Sequence, residues 1–216
     1  MKEIFHNVFR DEQGILTRNL VKGVRVYGEK LVDHQGEEYR VWNPYRSKLA
    51  SAIMCGLESL PIDQDSKVLY LGSATGTTVS HVSDIATRGT IYCVEFAPRS
   101  MRDFLPLAEA RDNIIPILGN AKDPQQYAPL LETVDLIYQD VAQVEQAEIL
   151  LRNLPFLKRG GYVMLCIKAR SIDVTKDPEK VFRQEISKLR ERVDIRGSID
   201  ISNYEKDHSF VVGVKT

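Results

Sequence analysis

The chain is poor in four things, and each shortage removes a class of protein. Only three cysteines occur, Cys55, Cys93 and Cys166, widely spaced among apolar neighbours and with no CxxC pair. Such thiols read as buried and reduced, which excludes a disulfide scaffold and points to a reducing compartment. The four histidines, His6, His34, His81 and His208, are just as scattered, so no metal-ligand spacing appears. Nowhere do eighteen apolar residues follow one another, and the first thirty hold no cationic start followed by an apolar run. A membrane span and a signal sequence are therefore not expected, and a soluble intracellular protein is. Charge of one sign is missing too: 29 Lys and Arg face 30 Asp and Glu, a net of −1. A protein that grips a nucleic-acid backbone unaided normally shows a cationic excess, so a polyanionic substrate would need a local basic patch or a partner.

What is present is globular in character, with 43% apolar and 27% charged residues in 216, enough for one α/β domain and a small appendage. From Met1 to about Trp42 short alternating pieces (EIFHNVF, ILTRNL, KLVDHQGEEYRVW) are punctuated by Gly14, Gly23, Gly28 and Gly36, the pattern of small antiparallel strands. Residues 1–45 are read as a minor β domain and 46–216 as the main one. After Asn43-Pro44, Leu49, Ile53 and Leu57 recur at helical spacing up to Pro61. Beyond it, apolar runs at 67–71, 90–95, 113–118, 134–139 and 161–168 alternate with helical segments, which predicts a parallel sheet covered on both faces. The spacing predicts that TTVSHVSDIATR ends before Gly89, with that glycine as a left-handed terminator, and that Asp177-Pro178 opens a helix striped by Phe182, Ile186, Leu189 and Val193. The runs at 193–201 and 208–215 are joined by too few residues for a crossover helix, so they form an antiparallel hairpin. The outline is α/β, a Rossmann-like seven-stranded sheet with an antiparallel last strand, as in class I methyltransferases.

In VLYLGSATGTTVSHV a strand, a glycine-rich turn and a helix start follow one another, and Gly72 and Gly76 let backbone approach a ligand while free N–H groups near Thr77 receive its oxygens. A mere tight turn would carry the same glycines. The spacing is G-x-x-x-G rather than the G-x-G-x-x-G of a pyrophosphate site. Glu95 ends the next strand, where an acid accepts from two ribose hydroxyls, and Asn120 and Ala121 follow the third, where a carbonyl accepts from an adenine amine. This set suits S-adenosylmethionine better than a dinucleotide.

Two further strands deliver Asp140, in YQDVAQ, and Lys168, in CIKARS, to the same sheet edge. Lys48 in the helix before the first parallel strand, and His208 at the start of the reversed last strand, can join them. Each of these has a bland reading: a lysine snorkels, an aspartate caps, a lone histidine packs. Together they form a cluster able to position an alcohol and take its proton, provided one lysine is partly neutral, which a second lysine and burial favour. On these residues alone either lysine serves as the base.

The blocks NPYRSKLA, VLYLGSATGTTVSHVSDI, GTIYCVEFAPRS, DLIYQDVAQ, GGYVMLCIKARSID and DHSFVVG, in that order along the whole chain, resemble those of fibrillarin in its archaeal-type form. The resemblance implies guide-RNA-directed 2′-O-methylation of ribose in pre-rRNA and tRNA, as the catalytic subunit of a box C/D ribonucleoprotein using S-adenosylmethionine. It implies a Lys48, Asp140, Lys168 and His208 tetrad, and donor-binding positions at Thr77, Thr78, Glu95, Phe96, Asn120, Ala121, Asp140, Val141, Ala142 and Gln143. It further implies guide and target RNA, a Nop-family scaffold and a kink-turn-binding ribosomal-type protein as partners, in the cytoplasm of a prokaryotic-type cell and away from membranes. Arg46, Arg99, Arg102 and Arg170, with the two lysines, are expected to steer the RNA backbone. Two departures stand out: no Gly/Arg-rich N-terminal stretch is present, and Asn120 replaces an aspartate common in the family. A small-molecule O-methyltransferase and a non-catalytic adenosyl-binding scaffold are the competing readings.

Overall fold

The computed structural model describes residues 1–216. The N-terminal fifth forms five antiparallel strands, β1 (Lys2–Phe5), β2 (Val8–Asp11), β3 (Gly14–Arg18), β4 (Leu31–His34) and β5 (Glu37–Trp42), ordered β1-β2-β3-β5-β4. Helix α1 (Lys48–Met54) connects it to a seven-stranded sheet built from β6 (Lys67–Leu71), β7 (Thr90–Glu95), β8 (Ile114–Leu118), β9 (Val134–Gln139), β10 (Leu157–Lys168), β11 (Val193–Asp200) and β12 (His208–Lys215). Its order, β11-β12-β10-β9-β6-β7-β8, keeps the strands from β6 to β10 parallel and sets β12 antiparallel to β10. The crossovers carry α2 (Thr77–Ile85), α3 (Pro98–Glu109), α4 (Gln146–Asn153), α5 (Ala169–Ile172) and α6 (Pro178–Leu189). No helix is long and apolar enough to cross a membrane.

Alternation along the buried strands divides the core. Val68 and Tyr70 join Ile91, Cys93, Leu136 and Cys166 on the face covered by α1, α2 and α3, together with Val8, Ile15 and Trp42 of the small sheet. Leu69 and Leu71 join Tyr92, Ile137, Leu165 and Ile167 on the face covered by α4 and α6. Of the three thiols, Cys93 and Cys166 are buried, Cys55 is half-buried, and none is bonded.

Three helix ends differ from the expectation, and one is that of α6, which stops at Leu189 in a turn closed by the Arg192 N–H on Leu189 O, so that Val193, expected on its stripe, opens β11 instead. Helix α1 stops after Met54 because Gly56 takes a left-handed φ of 97°. The Gly56 N–H donates to Ile53 O and the Leu57 N–H to Ala52 O, a Schellman end that turns Leu57 back onto the core instead of extending the helix. Helix α2 ends at Ile85, and Gly89 does not terminate it. That glycine is required elsewhere: a Cβ there would collide with the Ser66 carbonyl oxygen beside the start of β7. Strand β10 also begins four residues before the predicted 161, at Leu157.

A buried ionic network joins the two sheets. Asp84 of α2 accepts from Thr17 Oγ1 at 2.7 Å, from the Leu20 N–H at 3.0 Å, from Arg40 at 2.9 Å and from Arg111 at 2.7 Å. Arg40 also pairs with Glu29 at 2.6 Å, and all these charged side chains are essentially without solvent contact. His81 sits in the same layer, stacked on Trp42 at 4.7 Å. Since the Thr17 hydroxyl donates to Asp84, it can only accept from His81, so Nδ1 carries the proton and Nε2 accepts from the Tyr27 hydroxyl at 2.7 Å. Burial, with Arg40 and Arg111 nearby, pushes the His81 pKa well below the ordinary 6.5, and burial pushes the Tyr27 hydroxyl up to about 12.

Removing one member leaves buried charge uncompensated, so Asp84→Ala is expected to cost about 3–5 kcal/mol in urea denaturation. The neutral His81 ring adds a pH dependence. Above about pH 6.5 its contribution is complete; below that value the unfolded chain binds a proton first, and stability is lost at up to about 1.4 kcal/mol per pH unit. Thermal unfolding between pH 7 and pH 5 should show this slope in the native chain and a reduced one in His81→Gln.

Candidate active site

Parallel strands place all their C-terminal ends on one edge, and this edge carries the expected chemistry. An open cavity of about 280 Å³ lies there. Gly72 and Ala74, after β6, form one side of it, and Glu95 and Phe96, at the end of β7, the next. Asn120 and Ala121 follow β8; Asp140, Val141, Ala142 and Gln143 follow β9; Lys168 ends β10.

Each wall has a local cause. Gly72 has a φ of 87°, and a Cβ there would lie 2.7 Å from the Asp140 carbonyl oxygen, so the glycine is what lets the β6 and β9 loops touch. The Asp140 N–H donates to Leu71 O and the Gly72 N–H to Val94 O, which ties three strand ends together. Ala74 is held at a φ of 49°, a strained value for a residue with a side chain, and its N–H donates to Glu95 Oε2 at 2.8 Å. The other Glu95 oxygen accepts from the Ala97 N–H at 2.8 Å. Both oxygens are thus fixed in place and still have lone pairs free. Asn120 Oδ1 accepts from the Lys122 N–H at 3.0 Å, which also leaves one lone pair. Phe96 is 64% exposed, an unusual position for a phenylalanine, and lies on the cavity lip.

Three expected positions are not brought to the cavity wall. Gly76, with a φ of 90°, packs against Phe104 and Leu107. The Thr78 side chain is buried and donates to Ser47 Oγ at 2.9 Å, a link from α2 to the N-cap of α1. Thr77 does not line the cavity either. Their backbone remains available, because the Ser80 N–H is the one that reaches Gly76 O and the N–H groups of Thr77 and Thr78 come before it.

Asp140 sits between two amines. Its Oδ1 lies 2.7 Å from Lys168 Nζ and its Oδ2 lies 3.5 Å from Lys48 Nζ. Lys168 Nζ also donates to the Asp140 carbonyl oxygen at 3.2 Å. Lys48 is the first residue of α1, presented by the Ser47 cap, whose hydroxyl accepts from the Ala50 N–H. The carboxylate therefore intervenes between the lysines, and the expected lowering of one by the other meets an anion instead. For Lys48, burial acts downward, but Asp140 and Glu205 outweigh it and raise its pKa. Strand register pairs Lys168 with His208, whose Nδ1 lies 2.7 Å from the Lys206 carbonyl oxygen. A carbonyl only accepts, so Nδ1 bears a proton, which in a neutral ring leaves Nε2 as the acceptor. All four residues reach one region; Asp140 and Lys168 line the cavity, whereas Lys48 and His208 do not.

Sequence reasoning missed two participants. Glu205 lies 3.8 Å from Lys48 Nζ. Its only signal was an acid in the short link before His208. Gln146, wholly buried, accepts from the Lys168 N–H at 3.0 Å and donates to Gln143 O at 2.9 Å, fastening the β9 loop to the end of β10. A glutamine in an amphipathic helix gives no such signal.

Comparison with known proteins follows the same outline. The chain matches the family model described as Fibrillarin over residues 1–216. It is 52% identical to the fibrillarin-like rRNA/tRNA 2′-O-methyltransferase of Methanocaldococcus jannaschii, over 99% of this chain and 96% of that one. It superposes with a TM-score of 0.88 and 50% identity on Aeropyrum pernix fibrillarin in complex with natively bound S-adenosyl-L-methionine, over 96% of this chain and 93% of the other. A fibrillarin/Nop5p complex gives a TM-score of 0.93 at 41% identity, over 100% of each chain.

The arrangement around Lys48 has a direct check. Replacing Glu205 with glutamine removes one of its two carboxylate neighbours, so the Lys48 pKa should fall. A Cε NMR titration of Lys48 in the native and Glu205→Gln chains measures this, and coincident curves would leave Asp140 as the only effective partner.

Proposed function

Because the chain belongs to the fibrillarin family, we propose that it methylates ribose 2′-hydroxyls of pre-rRNA and tRNA, with S-adenosylmethionine as donor, as the catalytic subunit of a box C/D ribonucleoprotein. The observation that carries this reading is the Asp140 carboxylate, which holds Lys168 in the cavity wall and Lys48 beside it.

The cavity residues fit this donor. Two fixed Glu95 oxygens with spare lone pairs suit the two hydroxyls of an adenosyl ribose, and the free lone pair of Asn120 Oδ1 suits the exocyclic amine of adenine. With amide in place of carboxylate that contact keeps its acceptor and loses its charge. The exposed Phe96 ring offers a face for the base. Ala121 and the Val141 to Gln143 segment line the remaining wall. The N–H groups of Thr77 and Thr78 at the start of α2 would receive the donor carboxylate, through backbone rather than through their hydroxyls. When bound, the donor supplies an electrophilic methyl group on a cationic sulfur.

The chain's own groups then divide the work. Lys48, held between Asp140 and Glu205, stays cationic and attracts the oxygens of the incoming ribose-phosphate. Lys168 is the only one of the two lysines that lines the cavity, so it is the amine placed to take the hydroxyl proton. The acceptor Nε2 of His208 orients that hydroxyl. Asp140 positions both amines and faces the donor's charge.

Membership of the family implies that the target is delivered by pairing with a guide RNA, which fits a chain whose net charge of −1 does not hold a polyanion by its overall field. A Nop-family scaffold docks the enzyme, and a kink-turn-binding protein nucleates the particle. Such a particle works in the cytoplasm of a prokaryotic-type cell.

In a particle reconstituted with guide RNA, target RNA, scaffold and kink-turn protein, radiolabelled methyl should appear on the target ribose. Lys168→Arg, which cannot release its proton, should lower turnover by about 10²–10⁴-fold with S-adenosylhomocysteine still bound. Asp140→Ala should also lose the label. Label retained in both variants would falsify the site assignment.

A further inference from the structure

A second cavity, of about 590 Å³, lies beside α1 and shares no lining residue with the first. Its walls come from the small sheet, from the 43–46 segment that leads into α1, and from Tyr204 in the link before β12. Tyr45 is 67% exposed and meets the Tyr204 ring edge to face, with centroids 5.1 Å apart. The two rings are carried by the segments that hold Lys48 and its partner: Tyr45 stands three residues before Lys48, and Tyr204 immediately precedes Glu205, the carboxylate 3.8 Å from Lys48 Nζ.

The charge of this cleft differs from that of the chain. Its two cations, Lys30 and Arg46, form no ion pair, and the Arg46 guanidinium lies 5.3 Å from the centre of the Tyr27 ring. The one acid in the lining, Glu29, is buried and already paired with Arg40. A net positive cleft therefore opens on a chain of charge −1. Trp42 lines it as well, and its indole N–H is buried without an acceptor.

We propose that this cleft is a second RNA subsite, which takes the nucleotide step adjoining the methylated ribose. Its phosphates meet Arg46 and Lys30, and its nucleoside packs on Tyr45 and Tyr204. The inference rests on the ribose-methyltransferase reading and adds where the strand runs once it leaves the reacting centre. Aromatic rings beside unpaired cations are the surface that RNA strands use, rings for bases or riboses and cations for phosphates. A protein segment would also cover the rings, but two free cations with no free acid complement a polyanion. Occupancy has a consequence for the chemistry: a strand held across both segments fixes Lys48 and Glu205 relative to each other.

The test uses the complete particle. With Tyr204→Ala or Tyr45→Ala the target RNA concentration giving half-maximal methylation should rise about tenfold, the lower range of an aromatic stack. Tyr204→Trp should restore it, and S-adenosylhomocysteine affinity should not move. In the native particle, 4-thiouridine placed one nucleotide either side of the target should cross-link to peptides from 43–46 or 201–206. An unchanged half-saturating concentration, cross-links confined to other peptides, or loss of scaffold protein in place of RNA from the Tyr45→Ala particle would each overturn the subsite. A native particle that transfers no methyl to ribose defeats the functional reading itself; a working particle indifferent to these substitutions defeats only the subsite.

Discussion

Asp84 has no contact with water, and its oxygens take hydrogen bonds from Thr17, the Leu20 N–H, Arg40 and Arg111. The first three come from the small sheet and the loop between β3 and β4, and the fourth from the end of the α3 crossover. One carboxylate on α2 thus decides how two sheets meet. Burying such charges brings little net stability, because desolvation offsets most of the attraction. What it brings is a single arrangement, since any sliding of the small sheet would leave a cation unpaired. The reacting edge inherits that arrangement. Helix α2 carries the glycine loop at its start, and Thr78 reaches from it to the Ser47 cap of α1, whose first residue is Lys48.

Asp140 is a second carboxylate shared by two cations, with a different outcome. It is partly exposed at a cavity, and both of its partners are lysines with flexible stems. Asp84 is surrounded on all sides and holds the frame, while Asp140 faces open space with groups that can exchange a partner for a substrate. Gln146 makes the exchange possible without loss of shape, because it fastens the backbone of Lys168 and Gln143 and leaves their side chains free. Beside this centre the cleft of Tyr45 and Tyr204 adds positive charge where the chain as a whole has none.

The strands were legible because burial on both faces demands continuous apolar text, and 67–71, 90–95, 134–139 and 208–215 appear in the structure with the boundaries read from sequence. Helix ends were less so. Gly56 and Gly89 are the same residue type, yet one takes a left-handed turn and the other makes room for a carbonyl, and only the neighbours distinguish these. The donor-side positions that sequence placed by strand end, Gly72, Glu95, Asn120 and Asp140, reach one cavity. Thr78 does not, because its hydroxyl is taken by a serine thirty-one positions earlier, a distance no local pattern spans.

By itself the sequence determined the alternation of strands and helices, and with it the rule that parallel strands deliver their last residues to a common edge. That outcome follows from local periodicity and chain direction. Only the tertiary structure decided the electrostatics: which acid stands between Lys48 and Lys168, that Glu205 joins them, and that Arg40, Arg111 and Asp84 enclose one another. The physical reason is that periodicity acts over a few residues, whereas charge pairing and burial depend on distances through space between segments far apart in the chain.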